Sequence, residues 1–448
     1  MSRLEQHPAV KRLRERGLPR AGPAPRLGAD ELRALCLGCG AADVGFVSLE
    51  DEALAGEKAE IEHHFPGARS LIGLVLRMNP EAIRTPARSL SNLEFHHSID
   101  EVNHVARKIA EALGGRGIRA MNAAPVGFPM EMERWPGKTW VVSHKRVAVA
   151  AGLGRMGIHR NVIHPRFGSF VTLGSVVLEA DVEPYSRPLA EEESPCLECK
   201  LCVAACPTGA IGADGSFNFL SCYTHNYREF MGGFTTWVEQ VAAARSAVDY
   251  RRRVRDDETV SWWQSLGFGP NYKAAYCLAV CPAGEEVLGP FLGSKAEHLE
   301  RVVRPLQEKA ETVYVVAGGD AEPHVSRRFP AKKARRVPNS LRVVSVDSFL
   351  RGMPILFQPE QAAGLAATYH FRFRGAEARE ATVKIEQQQL AVTEGCEGKA
   401  DLRVTADAAT WVRFLRGEAG LVWALLRGRI RLAGDPRLLI AFGKCFPA

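Results

Sequence analysis

The feature that most constrains this chain is a run of four cysteines, Cys196-Leu-Glu-Cys199-Lys-Leu-Cys202-Val-Ala-Ala-Cys206-Pro207. Its spacing, C-x2-C-x2-C-x3-C-P, is the one with which bacterial proteins bind [4Fe–4S] clusters through cysteine thiolates. In proteins with two such clusters, the cysteine before the proline binds the other cluster. The run therefore predicts a first iron–sulfur site and calls for a partner motif elsewhere in the chain.

The partner motif downstream is incomplete. Cys277-Leu-Ala-Val-Cys281-Pro282 repeats the C-x3-C-P ending of the first run. A full second motif would begin with a cysteine at position 274, but that residue is Ala274. One further candidate, Cys222, lies between the two motifs. We therefore expect a second cluster with one thiolate fewer than usual.

The crossed pairing of two-cluster proteins divides the seven cysteines into two sets. The predicted ligands of the first cluster are Cys196, Cys199, Cys202 and Cys281. Those of the second are Cys206, Cys222 and Cys277. The second site could have an open iron, use a non-cysteine ligand such as His225, hold a three-iron cluster, or have lost its cluster.

Length and composition set broad limits. A chain of 448 residues, 46% hydrophobic and 24% charged, suggests a globular protein of two to four domains. Iron-bound thiolates need a reducing compartment, which predicts the cytoplasm. We expect residues 1–26 to be a flexible N-terminus, and no apolar stretch reaches the roughly 20 residues of a membrane span. Cys36 and Cys39 have redox spacing, but their place at an apparent helix end favours packing.

The net charge of +7 is concentrated at residues 251–255 and 327–336. Without interleaved aromatic residues, these runs do not favour nucleic-acid binding. We interpret the second run as the solvated face of a linker. The expected partner is a redox protein of ferredoxin or flavodoxin type.

The pattern along the chain predicts an α+β architecture. The expected parts are a mixed N-terminal domain at 27–190, a ferredoxin-like two-cluster domain at 191–290, a connecting segment at 291–345 and a small α+β domain at 346–448. Apolar periodicity predicts a helix at 101–113, and apolar runs predict strands at 70–76, 170–178 and 312–316. Residues 223–263 form a predicted helical insertion. Near the end, Asp407 and Asp435 are predicted helix N-caps, with Pro436 at the first helical position.

The last hundred residues resemble the sterol carrier protein 2 family. The segments that carry the likeness are residues 357–369, 390–395 and 427–435. This resemblance implies a sheet covered by helices around an apolar tunnel, and hence a lipid or another apolar small molecule as ligand. A tunnel and a filled core have the same sequence pattern, so both interpretations stay open.

The first 290 residues resemble epoxyqueuosine reductase and its corrinoid iron–sulfur relatives, the reductive dehalogenases. The likeness rests on Ala151-Gly-Leu-Gly-Arg-Met-Gly-Ile-His-Arg-Asn161 and on residues 167–174, followed by the cysteine run. It implies that this region borders a base-off cobalamin to which the clusters supply electrons. The residues that the resemblance implies for cofactor binding are Gly152, Gly154, Gly157, His159, Gly168 and Ser169.

One departure from that family concerns the general acid. Where the family has an aspartate in a D-S-A-P segment, residues 121–125 of this chain read Met-Asn-Ala-Ala-Pro. The amide of Asn122 cannot donate a proton as a carboxylic acid does, so the queuosine reaction is not expected. Candidate acids for another substrate are His96, His97, His104 and His144.

Three functions follow as hypotheses. The first is an iron–sulfur oxidoreductase that reduces an unidentified small substrate through a cofactor such as cobalamin in the N-terminal domain. The second is a non-catalytic [4Fe–4S] electron-transfer protein with a lipid-binding C-terminal domain. The third is a sensor in which the state of the cluster changes lipid affinity.

Overall fold

The computed structural model describes residues 3–16, 24–123 and 130–447. Within these ranges, no helix is both long enough and apolar enough to cross a membrane. The predicted α+β character is confirmed, because helices and strands occur at both ends of the chain while the cysteine region is almost wholly helical.

The N-terminal part is a mixture of helices and mostly antiparallel strands. Its elements are α1 (Pro8–Arg16), β1 (Arg26–Gly28), α2 (Ala29–Gly38), β2 (Asp43–Ser48), α3 (Ala55–His64), β3 (Ser70–Arg77), α4 (Pro80–Arg84), α5 (Arg88–Gly115), β4 (Ala120–Asn122), α6 (His144–Ala150), β5 (Arg155–Met156), β6 (Val162–Ile163), β7 (Val171–Leu178) and β8 (Asp181–Glu183).

The central sheet of this part has the strand order β2-β3-β7-β4, with antiparallel neighbours throughout. Successive side chains of a strand point to opposite faces. Ile72 of β3 packs against Val102 of α5, whereas Leu71 packs on the other face against Val147 of α6. The strand is continuously apolar because both faces are covered. The strands predicted at 70–76 and 170–178 and the helix at 101–113 are confirmed.

The cysteine region consists of short helices joined by tight turns. They are α7 (Leu201–Ala205), α8 (Phe219–Asn226), α9 (Gly232–Ala242), α10 (Ala247–Arg253), α11 (Asp256–Phe268), α12 (Tyr276–Ala279), α13 (Glu285–Gly293), α14 (Lys295–His298) and α15 (Arg304–Glu308), with a π-helical turn at Leu299–Val303. The predicted helical insertion is confirmed, and it comprises α8 to α11.

The connecting segment folds into β9 (Glu311–Val316), α16 (Ala321–Arg328) and β10 (Lys332–Val337), with the two strands paired in parallel. Residues 327–336 belong to α16 and β10 rather than to a linker, and most of their basic side chains are exposed as predicted, with Lys332 the buried exception. The Lys332 ammonium is fully buried, 2.7 Å from Glu311 Oε1 and 2.8 Å from the Leu306 carbonyl oxygen. These acceptors compensate its desolvation, so a basic residue can face the interior.

The C-terminal part is a five-stranded sheet covered by helices. Its elements are α17 (Val346–Leu356), β11 (Ala367–Arg374), β12 (Arg379–Glu386), β13 (Gln389–Glu394), β14 (Leu402–Asp407), α18 (Ala408–Leu415), α19 (Leu421–Leu426), β15 (Ile430–Gly434) and α20 (Arg437–Cys445). The strand order is β13-β12-β11-β14-β15, and only the β11–β14 pair is parallel.

Alternation along β11 builds the core of this part. Tyr369 and Phe371 are fully buried, and they pack against Trp411 of α18 and Phe442 of α20. The N-cap predicted at Asp407 is confirmed, since its carboxylate accepts a hydrogen bond from the Thr410 amide at 3.0 Å.

Helix α20 begins one residue later than predicted. Its first residue is Arg437, and Pro436 takes the N-cap position expected for Asp435. The Asp435 carboxylate still accepts a hydrogen bond from the Arg437 amide at 2.9 Å. The predicted residue types are therefore in place, but the helix is shifted by one position.

Candidate metal centres

Four cysteines from distant parts of the sequence line one recess, which we call the first recess. Its cysteines are Cys196, Cys199, Cys202 and Cys281. The recess is otherwise lined by apolar groups such as Ile158, Ile163 and Ala283. Cys206 is not among its lining residues. This division is the one that crossed pairing predicts.

Two tight turns orient the first three of these cysteines. Glu198 and Lys200 have φ of 49° and 58°, in the left-handed region that side-chain-bearing residues rarely adopt. Helix α7 starts directly after Lys200 and carries Cys202. The chain thus curls around a central space, so that thiols two residues apart can face it together.

The thiols of the first recess sit in surroundings that disfavour free thiolates. Burial raises the pKa of Cys202, and it raises that of Cys281 to about 11. A hydrogen bond from the Ser169 side chain opposes the shift at Cys281. Bound iron would supply the positive charge that thiolates need here. All eleven cysteines are free of disulfides, so the recess fits an iron–sulfur cluster.

Cys206, Cys222 and Cys277 form a second set, which we call the cysteine triad. They come from the end of α7, from α8 and from α12, and they share one apolar cluster with Ala274. Burial is the main cause that raises the pKa of Cys222 and takes that of Cys277 to about 12, and each is raised further by the charge of Cys206. Three thiols in mutual electrostatic contact, without a carboxylate among them, also fit an iron–sulfur cluster.

A lysine and an asparagine adjoin the cysteine triad. The Lys145 ammonium donates to the Arg160 carbonyl oxygen at 2.7 Å and to Asn161 Oδ1 at 2.8 Å. The Asn161 amide group in turn lies 4.0 Å from Cys277 Sγ. Burial lowers the pKa of Lys145, and the charges of Cys277 and Cys222 oppose that shift. A cation therefore stands beside two of the three thiols.

His225 is bonded to β9 through one ring nitrogen, and its Nε2 is buried without a hydrogen-bond partner among the described residues. Its Nδ1 accepts a hydrogen bond from the Tyr314 amide of β9 at 3.4 Å. Burial lowers its pKa to about 4, and the next causes are the charges of Glu311, Lys273 and Lys332 rather than any cysteine. The ring is thus a packed, neutral group between α8 and β9.

No three His, Cys, Asp or Glu side chains in the described ranges come together closely enough to hold a single metal ion. The ligands of an iron–sulfur cluster lie further apart than those of one ion, because each thiolate binds a different iron atom.

The glycines predicted to bind a cofactor are packed against the protein itself. A Cβ at Gly152 would collide with the Arg187 carbonyl oxygen, and one at Gly154 would collide with that of Ile163. A Cβ at Gly168 would meet the Ala283 carbonyl oxygen. Close packing against distant parts of the chain accounts for the absence of a side chain at these three positions, and their role in cofactor binding stays a prediction.

The other three predicted cofactor residues also have protein neighbours. A Cβ at Gly157 would come within 2.6 Å of Ile163 Cδ1. His159 lines the first recess, and its Nε2 lies 3.1 Å from Ser169 Oγ. Burial lowers the pKa of His159 to about 4. His159 and Ser169 therefore belong to the surroundings of the first recess.

The candidate acids are dispersed. His96, His97 and His104 all lie on α5, and only His96 of the three is turned inward, beside Gly269. His144 begins α6, and its Nδ1 lies 2.9 Å from Ser175 Oγ of β7. Ser175 also accepts a backbone hydrogen bond from Ala123, which follows Asn122. His144 thus adjoins the end of β4 through Ser175, while residues 124 and 125 lie outside the described ranges.

A separate recess opens in the C-terminal part. Its lining comprises Gln361, Ala363, Gly364, Leu365, Arg437, Ile440, Ala441 and Lys444. The lining combines apolar side chains, such as Leu365 and Ile440, with two cationic side chains of α20. Such a lining suits an amphipathic ligand.

Comparisons with known proteins support two relationships. An epoxyqueuosine reductase of Cellulophaga algicola is 28% identical over 245 residues, which is 47% of this chain and 72% of that protein. The Staphylococcus aureus enzyme is 37% identical over 84 residues, 19% of this chain and 21% of its own length. The chain thus spans most of one such relative but about a fifth of the other. The N-terminal region is related to epoxyqueuosine reductases.

The model of the SCP-2 sterol transfer family matches residues 356–447. Both resemblances predicted from the sequence are thereby confirmed. Among solved structures, the epoxyqueuosine reductase of Streptococcus thermophilus aligns with a TM-score of 0.34 and 15% identity, covering 61% of this chain and 74% of its own. At this TM-score, the likeness adds nothing to the sequence relationship.

Several residues of these sites were not predicted from the sequence. Lys145 and Thr208, whose hydroxyl lies 3.6 Å from Cys206 Sγ, both adjoin the cysteine triad. Thr208 follows the Cys-Pro pair directly, so its proximity to Cys206 could have been read from the sequence. Lys145 is 61 or more positions from every triad cysteine, and no local pattern marks it.

Proposed function

We propose that the protein is an iron–sulfur oxidoreductase, with a [4Fe–4S] cluster in the first recess and a second, atypical cluster on the cysteine triad. The relationship to epoxyqueuosine reductases supports an iron–sulfur oxidoreductase. The observation that carries the ligand assignment is the meeting of Cys281 with three cysteines of the distant run, while Cys206 stays outside.

The clusters, when bound, would supply one-electron transfer. The chain's own residues would set how readily that happens. Ser169 is placed to donate a hydrogen bond to Cys281, and Lys145 supplies a positive charge beside the triad. Hydrogen bonds to cluster sulfurs and nearby charge are the main means by which proteins adjust cluster potentials.

Substrate reduction would take place beside His144, where β7 and α6 meet. His144 is the candidate proton donor there, since Asn122 has no acidic proton. Cobalamin is the cofactor that the family resemblance suggests, and we assign no step to it. Cobalt analysis of the purified protein decides between a corrin and another acceptor.

The C-terminal part would bind an apolar or amphipathic molecule. Its match to a sterol transfer family and the recess edged by Arg437 and Lys444 support this role. We propose that it presents or sequesters an apolar substrate for the reductase part. Lipid that co-purifies and is identified by mass spectrometry would support this role, and its loss on mutation of the recess would localise it.

The second candidate is a non-catalytic electron-transfer protein of ferredoxin type with a lipid-binding domain. The observations that favour it are Asn122 in place of an acid and the filled space around Gly152, Gly154 and Gly168. The two candidates differ in one property, since only an oxidoreductase would retain a second cofactor or turn over a substrate.

The experiment that tests the cluster assignment compares Cys202→Ser with Cys39→Ser. Cys202 lies in the first recess, whereas Cys39 ends α2, outside both cysteine sets. We expect Cys202→Ser to lose the spectrum of one cluster and roughly four iron atoms per chain after anaerobic purification. Cys39→Ser should keep both, and equal iron content in the two variants would refute the assignment.

A further inference from the structure

The turn before Cys277 repeats the turn before Cys202. In the first motif, Lys200 has φ of 58° and α7 follows at once; in the second, Ala275 has φ of 56° and α12 follows at once. Cys202 and Cys277 are then the second residue of their helices. Ala274 accordingly occupies the position that Cys199 has in the first motif.

The second turn is held in place although it lacks a thiol. The Asn226 side chain accepts hydrogen bonds from the amides of Ala274 and Ala275 at 3.0 Å and 2.9 Å. Ala274 is buried in the same apolar cluster as the cysteine triad. Alanine in the left-handed region of φ and ψ costs about 1–2 kcal/mol, yet this turn contains one. The backbone therefore still has the shape of a four-ligand site.

Lys145 is an exposed residue that reaches the triad through Asn161. Cys222 and Cys277, on that side of the triad, are half-buried. Two of the three ammonium protons are used by Arg160 and Asn161, and the described residues supply no acceptor for the third. A small anion could therefore enter and meet both the cation and the cluster.

We infer that the chain leaves one iron of the second cluster without a protein ligand, and that the opening beside Lys145 admits small anions to that position. The inference rests on the proposed second cluster. Its ligand class is a monovalent anion with a strong donor atom, because an iron lacking a thiolate is a Lewis acid and a neighbouring ammonium favours negative charge. Water would be replaced by the anion, with no change in oxidation state.

Electron paramagnetic resonance of the full-length protein tests this, with cyanide as the probe. The protein is reconstituted anaerobically with iron and sulfide, reduced, and measured before and after cyanide is added. We expect the second-cluster signal to change shape and the first-cluster signal to stay constant. Ala274→Cys, which restores the fourth thiol, should abolish the response, whereas the matched variant Ala274→Gly should retain it. Lys145→Met should need several-fold more cyanide than Lys145→Arg.

Three results would each overturn the inference. They are a second-cluster signal that does not change with cyanide, a three-iron signal that persists after reconstitution, and an unaltered cyanide response in Ala274→Cys. The first-cluster part of the proposed function would survive all three results. An iron content sufficient for only one cluster would contradict the proposed second cluster, and the inference would fail with it. Iron analysis therefore distinguishes this failure from the other three.

Discussion

The Ser169 hydroxyl links two groups of the first recess. It lies 3.1 Å from His159 Nε2 and donates to the Cys281 side chain. The Thr208 hydroxyl likewise lies within hydrogen-bond distance of the Cys206 sulfur of the triad. At this scale, each cluster site has its own hydroxyl, so the two can be perturbed separately.

We predict that Ser169→Ala lowers the midpoint potential of the first cluster only. Loss of a hydrogen bond to a ligand sulfur leaves more negative charge on that sulfur, which disfavours reduction. Thr208→Val is the matched variant and should lower the potential of the second cluster instead. Spectroelectrochemical titration checks both. Equal effects of the two variants on both clusters would contradict the separate roles.

The buried ring of His225 predicts a pH dependence of stability. Its pKa is about 4 in the folded chain, against 6.5 in the unfolded chain. Between these values the unfolded state binds more protons, so stability is present above pH 6.5 and is lost as pH falls toward 4. At pH 5 the loss amounts to about 2 kcal/mol.

The corresponding measurement is thermal unfolding of the wild type and of His225→Gln at pH 7.5 and pH 5. The amide of glutamine does not titrate, so the fall in unfolding temperature at pH 5 should be smaller in the variant. A fall of the same size in both proteins would assign the acid sensitivity to other groups.

Among the elements, the loop at Gly168 has the tightest constraint. Its φ is +66°, and a Cβ there would collide with the Ala283 carbonyl oxygen, two residues after Cys281. Gly215 has a similar φ of +84° but open space around it. Comparing substitutions at Gly168 and Gly215 separates the free-energy cost of left-handed backbone strain from the cost of displacing neighbouring atoms.

Backbone strain alone is expected to cost about 1–2 kcal/mol. We predict that Gly168→Ala lowers the free energy of unfolding by clearly more than this. It should also reduce iron retention, because the displaced segment carries Cys281. Gly215→Ala should show the strain cost only and keep its iron. Unfolding temperature and iron content after gel filtration measure both effects, and indistinguishable variants would refute the account of this contact.

Sequence patterns predicted those elements whose stability is local or whose burial is periodic. The apolar run of β3 and the N-cap at Asp407 were predicted for these reasons. The burial of Lys332 was not predicted, because the acid that neutralises it is Glu311, on another strand. The close packing of the glycines was not predicted either, because their neighbours Arg187 and Ala283 are distant in sequence.

For the whole molecule, a buried polar junction joins the cysteine region to the C-terminal part. Gln358 Oε1 accepts from Asn218 Nδ2 at 3.2 Å and from the Asp320 amide at 3.0 Å. Asn218 also caps α8, the helix of Cys222. The junction thus connects the element that carries a triad cysteine to the start of the segment that matches the SCP-2 sterol transfer family.

We predict that Gln358→Leu loosens this junction and lowers stability by about 1–3 kcal/mol, because buried polar groups of Asn218 and Asp320 lose their partner. Proteolysis between residues 338 and 345 should become faster. Gln388→Leu is the control, since its side chain bonds to the Pro359 carbonyl oxygen at the surface. Equal cleavage rates in the two variants would show that the junction does not hold the parts together.

The two crossed sets of cysteines were predictable from spacing alone, whereas their environment was not. Spacing cannot show that Lys145 lies beside the triad, or that the turn at Ala274 has the same shape as the turn at Cys199. Those features depend on contacts between α6, α8 and α12 that no short motif records.

The most direct test of the account is the iron and acid-labile sulfide content of the anaerobically purified full-length protein, measured together with its Mössbauer spectrum. Two cluster sites, one of them lacking a thiolate, predict roughly seven to eight iron atoms per chain and two distinguishable clusters. About four iron atoms in a single cluster would contradict the second site, and a protein without iron would contradict the account as a whole.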